Sequence, residues 1–368
     1  MLNNWLSPVS REKFGNFKNY TRLQFGKKLL FHKDSYSSLE NIHIAIVGVE
    51  EEESDAVRKV LYPLNYPFRG LRIADLGNIR KKDPSFLIPV IKELLDAGIV
   101  PIIIGSSNKL TIPQFQAYHL KKEIKLAIID EKIRLNTTKE QLDKSFFLKK
   151  LFTKRKPKLF NLGLIGFQSH FTPKRVIDQL LNKNFELTRL GQVRKNIEEV
   201  EPIIRDAHLL SFNIAALKAA EAPGQISPSP SGFTSEEACQ ISRYAGLSDK
   251  LTSIGFYGFV MENDSLNQTA QVMSQLIWYF VDGFHSRKND FPASTEGLIE
   301  YIVEYKTLDH QVRFWKSKKS GRWWMEIPQK IKRKKTKHHM IACSYHDYQL
   351  ACQEKLPERL MTAYRRFE

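Results

Sequence analysis

The sequence predicts an α/β protein, a three-layer α/β/α sandwich with a mainly parallel sheet, followed by a basic C-terminal extension. Short apolar, β-branched segments alternate with helix-like segments over residues 41–285, as expected for a sheet covered on both faces. From about residue 286 the chain becomes rich in aromatic and basic residues. We therefore predict three parts: a surface-wrapping segment (residues 1–40), an α/β domain (41–285) and the extension (286–368).

The first half of the α/β domain reads as strands separated by helices. Residues 41–48, 71–76, 99–104 and 126–129 form the predicted strands, with a helix-like segment after the acidic run at 50–53. Asp83 and Pro84 suit the N-cap and first turn of a helix that runs to Gly98. The fourth strand ends at Asp130, on the rim where ligands bind in parallel sheets.

The second half continues the alternation. Predicted strands cover residues 158–164, 185–190, 208–214 and 251–260. Helices are predicted after Thr172, after Thr234 and over residues 267–279; Thr234 with Glu237 forms a capping-box pattern. In the extension, residues 311–315 and 322–327 predict a hairpin and residues 348–366 an amphipathic helix.

Composition narrows the class of protein and its partners. Apolar runs are far too short to span a bilayer, and the N-terminus lacks the apolar core of a secretory signal. Three cysteines without metal-type spacing fit a reducing cytoplasm, the location we expect. The net charge of +17 favours acidic partners, and residues 309–368 carry 15 Lys or Arg against 6 Asp or Glu. The inner face of an anionic membrane is therefore an alternative location.

Five segments resemble the ureohydrolase superfamily, which includes arginase, agmatinase and formimidoylglutamase. LAIIDEKIRLN (126–136) is similar to the family's metal-binding strand, whose pattern is D-A-H-x-D. LLSFNIAALKAAEAPG (209–224) resembles the signature S-F-D-x-D followed by A-P-G, and PIIIGSSNKL (101–110) resembles the G-G-D-H-S segment. Residues 232–237 and 259–262 resemble the G-G-L-T-x-x-E loop and the D-x-V-E segment. All five lie in the family's order.

The resemblance implies the family's fold and, in an intact enzyme, two Mn²⁺ ions held by four aspartates and two histidines. Those metals generate a hydroxide that attacks a guanidinium or formimino carbon. The six positions that match the ligands are occupied here by Asn108, Asp130, Lys132, Arg134, Asn213 and Ala215. Of these residues, only Asp130 is a family ligand.

The charges at these positions oppose metal binding. One carboxylate remains, and two fixed cations, Lys132 and Arg134, replace a histidine and an aspartate. We expect these cations to pair with Asp130, and with Glu237 or Glu262, in a site that holds no metal cofactor. Glu237 and Glu262 could form a vestigial substrate pocket; for Glu237 the capping box is the alternative role.

Three functions stay open at this stage. The first is a catalytically inactive scaffold whose partner is another protein. The second is a hydrolase of C–N bonds in guanidino or formimino compounds, and the third is a nucleic-acid or anionic-membrane binder using the tail. Family members often form trimers or hexamers, so a homo-oligomer also stays open.

The third function would use the charged and aromatic residues of the tail. The candidate anion or partner surface consists of Lys316, Lys318, Lys319, Arg322, Trp323, Lys332, Arg333, Lys334, Lys335 and Lys337. Base stacking on the tryptophans is one interpretation; the alternative is that they pack the hairpin onto the core. We expect weak contact with anionic surfaces rather than specific nucleic-acid binding, because no known nucleic-acid module is recognisable.

Overall fold

The computed structural model describes residues 2–14, 20–31, 39–81, 83–119, 121–135, 147–152, 157–292, 294–305, 310–329 and 337–367. Asn136 and four residues of the predicted anion surface, Lys332, Arg333, Lys334 and Lys335, lie outside this part, as does the side chain of Lys337. Within it, the predicted mainly parallel sheet flanked by helices is confirmed, as is a C-terminal extension, which holds an antiparallel sheet.

A ten-stranded sheet forms the centre of the domain, in the order β1-β4-β3-β5-β10-β9-β6-β7-β8, with β2 also paired to β4. The strands are β1 (Leu6–Ser7), β2 (Leu30–Phe31), β3 (Ile44–Gly48), β4 (Ile73–Ile79), β5 (Val100–Gly105), β6 (Glu123–Ile129), β7 (Lys158–Phe167), β8 (Glu186–Arg189), β9 (Leu209–Asn213) and β10 (Ser253–Tyr257). The pairing of β1 with β4 is antiparallel, and the other described pairs of this sheet are parallel. The N-terminal segment therefore contributes two short strands to the sheet.

Helices cover both faces of this sheet. They are α1 (Phe25–Lys28), α2 (Glu51–Leu61), α3 (Leu87–Asp96), α4 (Thr111–Gln116), α5 (Lys174–Leu181), α6 (Leu190–Lys195), α7 (Glu201–Arg205), α8 (Ser235–Leu247) and α9 (Gln268–His285). Alternate residues of one strand face opposite layers. In β3, Ile44 and Ile46 join the core under α2, α8 and α9, whereas Ala45 and Val47 join the core under α3. Both layers are therefore apolar, which explains the continuous hydrophobic strands.

The start of the second predicted helix differs from the prediction. Asp83 does act as a cap, accepting a hydrogen bond from the Ser85 amide at 2.8 Å, but the capped turn is a 3-10 helix over Pro84–Phe86. The α-helix begins only at Leu87. At the other end of the domain, α9 continues to His285, six residues beyond the predicted end.

The extension folds as a four-stranded antiparallel sheet with two helices. The strands pair in sequence order: β11 (Leu298–Tyr305), β12 (His310–Ser317), β13 (Trp323–Gln329) and β14 (Lys337–Cys343). The predicted hairpin is β12–β13. The prediction of one helix over residues 348–366 is wrong, because the chain forms α10 (Tyr345–Cys352) and α11 (Glu358–Phe367). Glu354 between them has a left-handed φ of 58°, and Pro357 precedes α11.

Arginine side chains fasten the extension to the α/β domain. Arg205 of α7 donates to the carbonyl oxygens of Trp323 (3.1 Å) and Cys343 (3.0 Å), and its guanidinium lies 4.5 Å from the ring centroid of Trp324. Arg366 of α11 donates to the carbonyl of Asn184 at 2.7 Å. The extension is thus docked on the domain. Across the described ranges, none of the helices has the length and apolar character that crossing a bilayer requires.

Candidate functional site

Two neighbouring strands bring Asp130 and Asn213 together at the carboxyl edge of the sheet. β6 and β9 run parallel with Ile129 opposite Phe212, so the residues that follow each of these meet. Asn213 Nδ2 donates to Asp130 Oδ2 at 2.9 Å. Gly258, after β10, lies against them: a Cβ built there would come within 2.3 Å of Asn213 Oδ1, and its φ of 89° favours glycine.

Arg134 completes this cluster through a bidentate contact. Its Nε donates to Asp130 Oδ2 at 2.9 Å and its Nη2 donates to Asp130 Oδ1 at 3.0 Å. Asp130 is 3% exposed and Arg134 is 6% exposed. Both carboxylate oxygens therefore accept charge-assisted bonds inside the protein, the geometry in which a carboxylate–guanidinium pair is strongest. The sequence predicts that both Arg134 and Lys132 pair with Asp130, and in the structure Arg134 makes this contact.

Lys132 makes a different contact from the predicted one. Its Nζ lies 3.9 Å from Glu131 Oε1, and Arg134 Nη2 lies 3.6 Å from the same oxygen. Burial raises the pKa of Glu131, and the charge of Asp130 raises it further, against the lowering effect of Arg134 and Lys132. The expected pairing of Lys132 with Asp130 is therefore replaced by a looser contact with Glu131.

The loop that carries these residues is held by the segment that follows β7. The Gln168 amide donates to the carbonyl of Glu131 at 2.8 Å, and the Ile133 amide donates to Thr172 Oγ1 at 3.3 Å. A shallow cleft of about 460 Å³ opens beside this loop. It is lined by Leu135, Ser169, His170, Phe171, Thr172, Pro173, Lys174 and Val176. The sequence reasoning did not assign these residues to the site.

The donor set does not fit the dinuclear manganese centre that the resemblance implies. Hard divalent cations need free oxygen or imidazole donors. Both oxygens of Asp130 already accept bonds, and Asn213 Oδ1 accepts from the Ala215 amide at 3.2 Å. Ala215 has no side-chain donor, and Arg134 and Lys132 are cations. No group of three or more His, Cys, Asp or Glu within the described ranges could hold a metal ion.

Asn108 acts through its backbone at the end of β5. It starts a 3-10 helix over Asn108–Leu110, and its carbonyl accepts a hydrogen bond from Thr111 Oγ1 at 2.7 Å. The hydroxyl groups of Thr111 and Ser211 lie 2.6 Å apart, and both residues are buried. This contact ties the start of α4 to β9 beneath the site.

Glu237 and Glu262 make separate contacts. Glu237 forms the capping box: its Oε2 accepts from the Thr234 amide at 2.9 Å, and its Oε1 lies 3.2 Å from Arg194 Nε. Glu262 is exposed, and its charge adds to the burial that raises the pKa of Glu53. The capping alternative for Glu237 is thus what the structure shows.

Two residues of the predicted anion surface, Arg322 and Trp323, pack against other parts of the protein. Trp323 is 6% exposed and stacks on Tyr348 with ring centroids 4.9 Å apart. Arg322 Nη1 donates to the carbonyl of Leu247 at 3.2 Å, and its Nε lies 3.6 Å from Glu201 Oε1. Placing Trp323 and Arg322 on an open surface is therefore wrong, because they join the extension to the domain and complete its core. Exposed lysines remain at 318 and 319, and Lys316 Nζ lies 5.4 Å from the Trp323 ring centroid.

Comparison with known proteins identifies related sequences and folds. The model of the arginase family matches residues 47–282. The guanidino acid hydrolase, mitochondrial, of Mus musculus is 25% identical over an alignment of 199 residues that covers 48% of this chain and 54% of that protein. The chain thus spans about half the length of this curated relative.

Solved structures share the fold at low sequence identity. A Trypanosoma cruzi formiminoglutamase with Mn²⁺ has a TM-score of 0.60 at 18% identity, covering 69% of this chain and 97% of that chain. The formimidoylglutamase of Bacillus subtilis has a TM-score of 0.62 at 15% identity, covering 74% and 96%. The agmatine ureohydrolase of Thermoplasma volcanium has a TM-score of 0.55 at 14% identity, covering 72% and 95%. At these identities the likeness shows a common fold.

Proposed function

Because the chain belongs to the arginase family, we propose that it is a catalytically inactive member, a pseudoenzyme that serves as a binding or assembly scaffold for other proteins. The observation that carries this proposal is the buried network of Asp130, Arg134 and Asn213. A hydrolase of the family's kind needs a metal-bound hydroxide, and the occupation of both Asp130 oxygens by hydrogen bonds supports a site without metal.

The electrostatic balance supports a site without metal. Two unit charges 4 Å apart interact with about 4 kcal/mol at an effective dielectric constant of about 20, and a divalent ion doubles that figure. An ion beside Asp130 would meet repulsion of this size from Arg134, which is buried and held in place by two hydrogen bonds. It would also have to displace the Asn213 amide from Asp130 Oδ2.

Metal content and hydrolysis test the proposal together. The full-length protein is incubated with MnCl₂, dialysed and analysed by inductively coupled plasma mass spectrometry, and then assayed with arginine, agmatine, guanidinobutyrate and formiminoglutamate. We expect far less than one Mn per chain and no hydrolysis above the uncatalysed rate. About two Mn per chain, or hydrolysis that Asp130→Ala abolishes, would refute the proposal in favour of a C–N hydrolase.

A matched variant controls for the scaffold itself. Asn108→His, Lys132→His, Arg134→Asp, Asn213→Asp and Ala215→Asp together restore the family's ligand types at the five changed positions. If the residue types at these positions alone account for the proposed lack of metal binding, this variant should retain Mn after dialysis. Mn retained by the variant but not by the wild type would mean that the missing ligand residues prevent metal binding. Mn retained by neither protein would mean that the surrounding structure also prevents it.

A further inference from the structure

The extension ends in an open strand edge. β11 pairs with β12 over its whole length, from Leu298 opposite Ser317 to Tyr305 opposite His310, without a register shift. Across the described ranges, β12 is the only strand that pairs with β11. A row of backbone N–H and C=O groups therefore faces outward, which is a template for another strand.

The sequence of β11 has few of the features that protect an edge strand. Natural edge strands carry charged side chains, above all lysine, or a proline or a bulge that discourages pairing. β11 reads LIEYIVEY, so it has no lysine, proline or bulge, and its charged residues are two glutamates that a basic segment could pair with. Ile302 is 51% exposed and Ile299 is 40% exposed. Their sequence positions place them on opposite faces of the strand. A ligand laid on one face would cover only one of them, whereas an added strand would cover both.

The charge along this edge is acidic in a chain whose net charge is +17. Glu300 and Glu304 share a face with Ile302 and are exposed. Glu300 Oε1 lies 3.3 Å from Arg313 Nε, and Glu304 Oε1 accepts from Gln311 Nε2 at 2.7 Å, so within the described part of the chain these carboxylates contact side chains of β12. β11 itself contains no basic residue. Two copies of β11 side by side would therefore offer no cation to either carboxylate.

We propose that the β11 edge binds, by strand addition, an extended segment of another protein in which apolar residues alternate with lysine or arginine. Backbone hydrogen bonds supply affinity in this mode, and alternate side chains supply selectivity. Cations of the segment pair with Glu300 and Glu304, and its apolar residues cover Ile302 on one face and Ile299 on the other. The β11 edge would be the surface through which the proposed scaffold binds its partner. This inference rests on the proposed function only in taking the partner to be a protein.

A peptide display experiment with the full-length protein tests the proposal. A random twelve-residue library is selected on the immobilised chain, and the enriched peptides are synthesised and measured by fluorescence anisotropy. We expect basic, alternating peptides whose binding weakens at least tenfold in the Glu300→Lys, Glu304→Lys double variant. The single variant Glu304→Lys keeps the contact between Glu300 and Arg313, so it controls for misfolding of the double variant. We expect it to weaken binding about threefold. Asp96→Lys, at an exposed position ending α3, should leave it unchanged.

Hydrogen exchange locates the contact. Bound peptide should slow amide exchange within residues 298–305 and leave the loop at 130–135 unaffected. Peptides that bind the double variant as tightly as the wild type, or a selection that enriches none, would overturn the proposal. A concentration-dependent dimer that Ile302→Lys dissolves would assign the edge to a second copy instead. Manganese content does not bear on any of these readouts, so this inference and the proposed function fail separately.

Discussion

Removing the guanidinium of Arg134 should unmask the buried charge of Asp130. Arg134→Met keeps an unbranched apolar stem but deletes both donors to Asp130, at 2.9 and 3.0 Å. Asp130 is 3% exposed, and among the side chains that the structure describes only Asn213 would then donate to its carboxylate. Removing one partner of a buried ion pair costs about 3–5 kcal/mol. Because this pair is bidentate and nearly solvent-free, we expect a loss of about 4 kcal/mol in the free energy of unfolding.

The matched variant removes the charge instead of its partner. Asp130→Asn in the Arg134→Met background leaves neither ion, so the desolvation cost of an unpaired carboxylate disappears. We expect the double variant to be at least about 1 kcal/mol more stable than Arg134→Met alone, although a second native group has been changed. If the second substitution raises the free energy of unfolding, the unpaired charge of Asp130 was the source of the lost stability.

Equilibrium urea unfolding at pH 7 measures both variants, with equal m-values as the check that the unfolded states are comparable. A loss below about 1 kcal/mol for Arg134→Met would refute the reasoning, since an exposed ion pair is worth that little. Simple additivity of the two substitutions would refute it as well. Either result would mean that Asp130 reaches solvent or another cation when Arg134 is absent.

Three further predictions concern other parts of the molecule. Burial, aided by the charge of Lys250, lowers the pKa of His208 to about 2. Because the folded protein keeps His208 neutral, the free energy of unfolding is highest above the unfolded-state pKa of about 6.5 and falls by about 1.4 kcal/mol for each pH unit below that value. Urea unfolding between pH 7 and 5 should show a shallower slope for His208→Asn, and an unchanged slope would contradict the assignment. Arg205→Met should loosen the extension, seen as faster proteolysis after residue 286 with the α/β domain intact, because two carbonyls of the extension lose their donor. Glu237→Ala should cost about 1 kcal/mol through the lost cap and leave metal content unchanged; a change in metal content would restore a pocket role to Glu237.

Most of the α/β domain follows from local sequence, because its strands are short β-branched runs that stay apolar on both faces. The extension follows less well. β11 and β14 were not predicted, since each is a strand only through its pairing with β12 or β13. Residues 348–366 also keep one amphipathic pattern throughout, so the sequence predicts a single helix although the left-handed Glu354 and Pro357 divide it in two.

The sequence predicts that five of the six positions matching the family's ligands carry other residue types, because residue type alone determines whether a side chain can donate an oxygen or an imidazole nitrogen. Which cation would pair with Asp130 was not legible. Lys132 and Arg134 are two residues apart, and only the path of the loop directs Arg134 inward and Lys132 toward Glu131. Asn213 is 83 positions from Asp130 and becomes its donor because β6 and β9 run side by side. Whether a side chain can bind a metal or pair with a charge follows from its residue type, which the sequence gives directly. Which residues contact one another depends on the pairing register of distant strands, which only the folded sheet determines.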